Sequence, residues 1–462
     1  MRLIGWLSRR EVYAAVGVLL ALVKYLIDRS VAARYGVQWL PWHYWVLPHE
    51  GSLLQVPDAL RPMYLTLLWT SAPFALVGLT LTYLRLRAAG LHGGWVLLFF
   101  APLLNVMLFL SLCLLPSRAQ AEGASAGVRG WRRFVPRDER GSWWAGALLP
   151  APIGVAFCLL GVYGFQQYGW GLFVGAPFAV GLLAPVIAGA HAPRTRGESL
   201  AVAGTALLMW GAGLVLLALE GALCLVMATP IAAVLGLLGA VLGHTLQARP
   251  NRPGAEWLSL LVLLCVPALM GAEKRLTQPP LYAVSTAVEI DAPPEVVWRC
   301  VVAFPPLPEP TELPFRLGIA YPTEARIEGT GVGACRYCVF STGAFVEPIT
   351  VWDAPRLLRF RVTENPPALV ELSPYGHLPT PHAHGYFVAE QGEFRLTPLP
   401  NNRTRLVGTT WYRHNLYPAF YWRWWCDALI HRIHGRVLRH IKAQAEAHAS
   451  PSALALRQSR AK

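Results

Sequence analysis

Charge is what this chain has least of. Only 14% of its 462 residues are Asp, Glu, Lys or Arg, against about 25% in ordinary soluble domains, so much of it is expected to lie in lipid. Acids are scarcer still: 26 Asp+Glu stand against 40 Lys+Arg, a formal charge of +14. Without any nucleic-acid reader motif, that surplus points to anionic headgroups and topology signals, not to nucleic acid. The 8 cysteines make no disulfide framework. Cys113, Cys158, Cys224 and Cys265 lie in apolar runs, where a thiol acts as a small hydrophobe. Cys335 and Cys338 form a single C-x-x-C, with no second pair to complete a zinc site. No G-x-S-x-G elbow occurs, and the glycines of "GTGVGAC" (329–335) precede a strand rather than a helix, so they read as a hairpin turn. No metal and no cofactor is expected.

What is abundant is apolar sequence. Runs at about 12–28, 63–84, 95–115, 144–164, 170–190, 200–219, 222–243 and 257–272 each approach the twenty or so residues needed to cross hydrocarbon. Glu220-Gly221 reads as a hairpin tip between two of them. Glu220 is also the best candidate for an intramembrane charge. Gly171/Gly175 and Gly239/Gly243 have G-x-x-x-G spacing, suited to close helix packing. The expected organisation is a membrane module of about three spans at 1–116, a basic linker at 117–142, a second module of about five spans at 143–275, a soluble domain at 282–447 and a disordered tail at 448–462.

The segment Tyr83–Pro116, with Arg85, Arg87, Gly93, Gly94, Trp95 and Pro102, resembles a family of small bacterial membrane proteins known only as a domain of unknown function. Ala88 and Ala89 stand where that family has a His-Asp pair, and it implies no activity. The expected location is a bacterial inner membrane. With eight spans, seven basic residues fall on the side of the termini and thirteen on the other. The positive-inside rule then places the C-terminal domain on the non-cytoplasmic face, and one span more or fewer reverses that answer.

From Tyr282 the pattern changes. "YAVSTAVEID" alternates and is rich in β-branched residues, as a strand is. "APPEVVWRCVVAF" follows, with Pro and Glu295 placed for a helix start and Val296, Val297, Cys300, Val301 and Phe304 as its apolar face. Six strand-like segments come next, at about 323–329, 333–341, 345–352, 357–363, 385–397 and 403–413, separated by turn signals. A helix from about Pro418 to Ala447 carries an apolar stripe of Trp422, Cys426, Leu429, Ile433, Val437 and Ile441. Its polar face is Arg432, Arg436, Arg439 and Lys442.

The opening Val288–Trp298, the segment Gly392–Tyr412 and the helix Tyr421–Lys442 resemble the START-like, or SRPBCC, superfamily, which includes polyketide cyclases and lipid-transfer proteins. The likeness covers about 282–447. It implies a helix-grip fold, a curved antiparallel sheet around a long C-terminal helix, fused here to a membrane α-helical bundle. It further implies a cavity for an apolar small molecule or lipid.

Two histidine groups accompany it: His377, His382 and His384 in a Pro-rich loop, and Asp427, His431 and His434 at helical spacing on the last helix. That second face suits a general base, a metal, or the polar end of a ligand site. Trp411, Tyr412, Tyr417, Tyr421, Trp422, Trp424 and Trp425 cluster beside it, to wall a cavity mouth or to sit at headgroup level. Tyr412, Trp422, Asp427, His431, His434, His382 and His384 are therefore the expected ligand contacts. Three readings stay open: a membrane-anchored protein binding a hydrophobic small molecule or lipid; a cyclase/aromatase-like enzyme using Asp427, His431 or His434 as acid–base groups; and a transporter with a ligand-sensing domain.

Overall fold

The computed structural model describes residues 9–44, 58–88, 93–100, 134–247, 254–276, 279–375 and 385–449, with isolated positions besides. The chain divides into two units, Met1–Leu216 with Ala228–Thr277, and Leu217–Met227 with Gln278–Lys462.

The first unit is helical. Its elements are α1 (Arg10–Ala33), α2 (Arg61–Ala88), α3 (Glu139–Leu148), α4 (Pro150–Leu159), α5 (Ala176–Ala188), α6 (Arg196–Leu216), α7 (Ala222–Gln247, whose first turns belong to the second unit) and α8 (Gly254–Leu276). A π-helical turn at Leu160–Phe165 extends α4, and another at Gly171–Gly175 leads into α5. Among the described residues, five helices are long and apolar enough to cross a membrane: Asp58–Ala88, Glu139–Phe165, Gly171–Ala188, Arg196–Leu216 and Ala222–Gln247. They coincide with five of the expected runs. The runs at 12–28 and 257–272 are also helical. However, α1 carries Lys24, Asp28 and Arg29, and within α8 the described residues give the shorter apolar stretch Ser259–Glu273. The run at 95–115 lies largely outside the described residues.

Small residues set the packing. A Cβ at Gly239 would fall on the carbonyl of Phe178, and one at Gly243 on that of Leu182, so α7 lies backbone to backbone against α5. Gly171 faces the Met270 side chain and the Val266 carbonyl of α8, and Gly175 faces the Val266 side chain. Several buried charges here are paired: Arg194 donates to Glu139 Oε1 at 2.9 Å and Ser142 Oγ at 2.7 Å. Buried Asp28 takes Lys24 and the Tyr44 hydroxyl.

The second unit is a seven-stranded antiparallel sheet in the order β1-β7-β6-β5-β4-β3-β2. The strands are β1 (Leu281–Ile290), β2 (Pro322–Glu328), β3 (Cys335–Phe340), β4 (Gly343–Asp353), β5 (Leu357–Arg361), β6 (Phe387–Leu399) and β7 (Arg403–His414). Two short helices, α9 (Pro294–Val302) and α10 (Leu313–Arg316), separate β1 from β2, and α11 (Ala419–Ala449) closes the unit. This is the helix-grip arrangement. Asn401 and Asn402, with φ of 62° and 61°, turn β6 into β7, a conformation that Asn tolerates best after Gly. The glycines at 329, 331 and 333 all have positive φ before β3, as a turn requires. Register shifts at Ile349/Val351 in β4 and Ala389/Gln391 in β6 bend the strands and curve the sheet.

The core lies where the sheet meets α9 and α11. Val297, Cys300 and Val301 of α9 bury against Ile290, Leu358, Leu396 and Leu406 of the sheet and Val437, Leu438 and Ile441 of α11. One expectation for α11 changes. Arg436, read as part of the polar face, is buried. It donates to the carbonyls of Pro322 and Pro308 and lies 5.4 Å from the centroid of Tyr321. A helix held in a curved sheet is covered over more than a narrow stripe, so its long cation is enclosed and bonds main chain.

Candidate functional site

Curvature keeps the sheet from meeting α11 along its whole length. A cavity of ≈ 120 Å³ remains. Strand alternation supplies its aromatic walls: Phe340 from β3, Phe345 from β4, Phe360 from β5, and Phe387 and Phe394 from β6. From α11 come Ile430, Ile433, Val437 and Leu438. Gly392 and Gly408 stand where side chains would intrude. A Cβ on Gly392 would strike the Phe360 ring, and one on Gly408 would touch Phe394 at 3.4 Å.

Polar groups break this apolar lining, among them Gln391, Glu393, Thr409 and Thr410, and two of them bear on function. The first is a buried ion pair. Arg336 of β3 and Glu347 of β4 are register partners, and the guanidinium Nη1 donates to Glu347 Oε2. Only 1% of Arg336 and 6% of Glu347 is exposed. The rings of Phe304, Phe360 and Phe394 surround the guanidinium at 5.7, 5.4 and 5.5 Å. Its Nε is buried and has no partner among the described residues. Burial pushes the Glu347 carboxyl up, and Arg336 beside it opposes that rise. Cys338, on the same face of β3, is pushed up to about 12 by burial and the Glu347 charge, so it is an unreactive thiol. Cys335 lies three positions back on the strand and points to the opposite face, so the C-x-x-C pair cannot share a ligand.

The second polar group is His434. Its Nε2 lies 2.8 Å from Thr410 Oγ1 and its Nδ1 3.1 Å from Thr286 Oγ1. Burial, then the neighbouring His431, lowers it to about 4. At neutral pH it is an uncharged bridge between two strands and the helix.

Of the sequence-derived contacts, His434 alone among the described residues lines the cavity. His431 is exposed and shares Thr286 Oγ1 with His434, at 2.8 Å from its own Nδ1. Asp427 faces elsewhere. It accepts from the Tyr412 hydroxyl at 2.6 Å and from Arg423 Nε at 3.2 Å, and no hydrogen bond joins it to either histidine among the described residues. Tyr412 is fully buried, its ring stacked 5.2 Å from Phe387, and burial followed by the Cys426 and Asp427 neighbourhood raises its hydroxyl pKa. Trp422 is buried at the start of α11 with its ring edge-on to Tyr421. His377, His382 and His384 lie outside the described residues. Sequence reasoning missed Arg336, Glu347 and the phenylalanine set. Their signal was present in the alternation Arg336-Cys338-Phe340 and Phe345-Glu347-Ile349, which puts each trio on one face of its strand.

Two other places gather donor groups. Glu220, Cys224 and Glu371 each bring a ligand atom within 4.8 Å of the others. Glu371 Oε2 already accepts from the backbone N–H of Leu223 at 3.2 Å, which caps the start of α7. A hollow of ≈ 140 Å³ between α9 and the end of α11 has exposed Arg299 and His448 in its wall.

No protein-family model and no curated protein matches the chain. Solved structures do resemble its C-terminal region. An aromatase/cyclase from a Streptomyces species is 18% identical, over 37% of this chain and 98% of its own, with a TM-score of 0.25. Norcoclaurine synthase from Thalictrum flavum is 13% identical, over 38% of this chain and 99% of its own, also at 0.25.

Proposed function

We propose that the C-terminal unit is a binding module for a hydrophobic small molecule, carried by a helical region that sits in a membrane. One observation carries this reading: an apolar, phenylalanine-walled cavity persists between the sheet and α11, with glycines at the two positions where side chains would fill it. The five long apolar helices support the membrane attachment, which raises the concentration of the module near molecules dissolved in the bilayer. An acid–base enzyme is less well supported, because Asp427 is held by Tyr412 and Arg423 and His434 by two threonines. Counted over the eight apolar runs of the sequence, the arginine distribution favours a C-terminal unit outside the cytoplasm.

Native mass spectrometry of the full chain released from detergent tests the binding. The protein should carry a bound small molecule, and Gly408→Leu, which fills the cavity, should release it. A natural protein with no mass beyond that of its polypeptide, or a variant that keeps the same extra mass, sinks the reading.

A further inference from the structure

Arg336 and His434, two of the polar groups that line the cavity, differ in what they leave open. His434 has both ring nitrogens engaged. Arg336 does not: Nη1 meets Glu347, while its buried Nε lacks an acceptor among the described residues. A buried charged donor without an acceptor is costly, so an oxygen brought in by a ligand would relieve a real penalty. The three rings around the guanidinium interact with its charge but supply no lone pair to an N–H.

Size narrows the occupant. The cavity holds ≈ 120 Å³, and an apolar protein cavity of about 150 Å³ takes benzene. The walled space is thus on the scale of a single ring, with any substituent reaching toward the open side, and far from that of a two-chain lipid or a fused tetracycle. Charge narrows it further. Glu347 already balances the guanidinium, so a ligand carboxylate would leave an unpaired negative charge among phenylalanines.

Resting on the binding reading above, we propose that the cavity takes a neutral one-ring aromatic molecule bearing an oxygen acceptor, which accepts a hydrogen bond from Arg336 Nε. The phenylalanine walls hold the ring, and the guanidinium sets its direction.

Fluorine NMR titration of the full chain in detergent tests this with three probes of similar size: para-fluorotoluene, para-fluoroacetophenone and para-fluorobenzoate. Binding is scored as the part lost in Gly408→Leu, which removes partition into micelles. The ketone should bind about tenfold or more tighter than the other two. In the double variant Arg336→Met, Glu347→Leu, ketone and hydrocarbon should bind equally. If the natural protein already binds ketone and hydrocarbon equally, the role of Arg336 is overturned while the cavity reading stands. If benzoate binds best, the neutral class is overturned. If no probe binds, the one-ring class is overturned, while the mass-spectrometric comparison with Gly408→Leu decides the cavity reading by itself. The ranking in the natural protein is decisive even where the double variant does not fold.

Discussion

Arg336 and Glu347 are placed by strand register, and their burial makes them sensitive to single changes. Removing one member of a buried pair leaves the other uncompensated, at a cost of about 3–5 kcal/mol, whereas replacing both by apolar residues is often neutral. Arg336→Met should therefore unfold the second unit at much lower denaturant, and the Glu347→Leu partner change should restore it, as read by tryptophan fluorescence. His434 and His414 give a second residue-scale prediction. Burial, first among the causes, lowers both from an ordinary 6.5 to about 4. The unfolded imidazoles take protons near 6.5 and the folded ones only near 4, so stability present above pH 6.5 is lost as the pH falls toward 4. Hydrogen exchange in α11 and β7 should accelerate across that window, and His434→Gln should flatten the dependence. What residue-level reading missed had a common cause. Helical spacing put Asp427 beside His431 and His434, but spacing does not reveal that Tyr412, from a strand, reaches the carboxylate first.

Among the elements, the strands were the most legible. β2 to β7 fall within a few residues of the segments that alternation and turn residues marked, because an antiparallel sheet with one covered face writes its period into the sequence. The α9 face was legible for the same reason, and Trp298, which packs edge-on to Trp352 at 5.6 Å, was the addition. The π-helical turns at Leu160–Phe165 and Gly171–Gly175 were not legible, since an extra residue in a turn leaves no mark in hydropathy. Two element-scale tests follow. Gly239→Val should force α7 off α5, a steric overpacking of about 1–3 kcal/mol, seen as a lower melting temperature in detergent. Asn402→Val puts a β-branched residue at φ 61° and should cost the β6–β7 hairpin about 1–2 kcal/mol, measurable by chemical denaturation.

At the scale of the whole molecule, apolar runs marked the five helices that are long and apolar enough to cross a membrane, and alternation marked the strands, because the two patterns differ in length and period. Orientation is a matter of counting spans, and a periplasmic alkaline phosphatase fused after residue 449 should be active if the C-terminal unit lies outside the cytoplasm. The division between units does not follow the chain. Leu223, from the short stretch between α6 and the body of α7, packs on Phe315 and Ile319, and Glu371 reaches back to its backbone N–H. A fragment cut out from residue 279 onward would leave that stretch behind, baring two aromatic and aliphatic side chains to water and stranding a carboxylate. The second unit is thus completed by a stretch translated well before the rest of it, and cutting at residue 279 would leave part of its own packing behind.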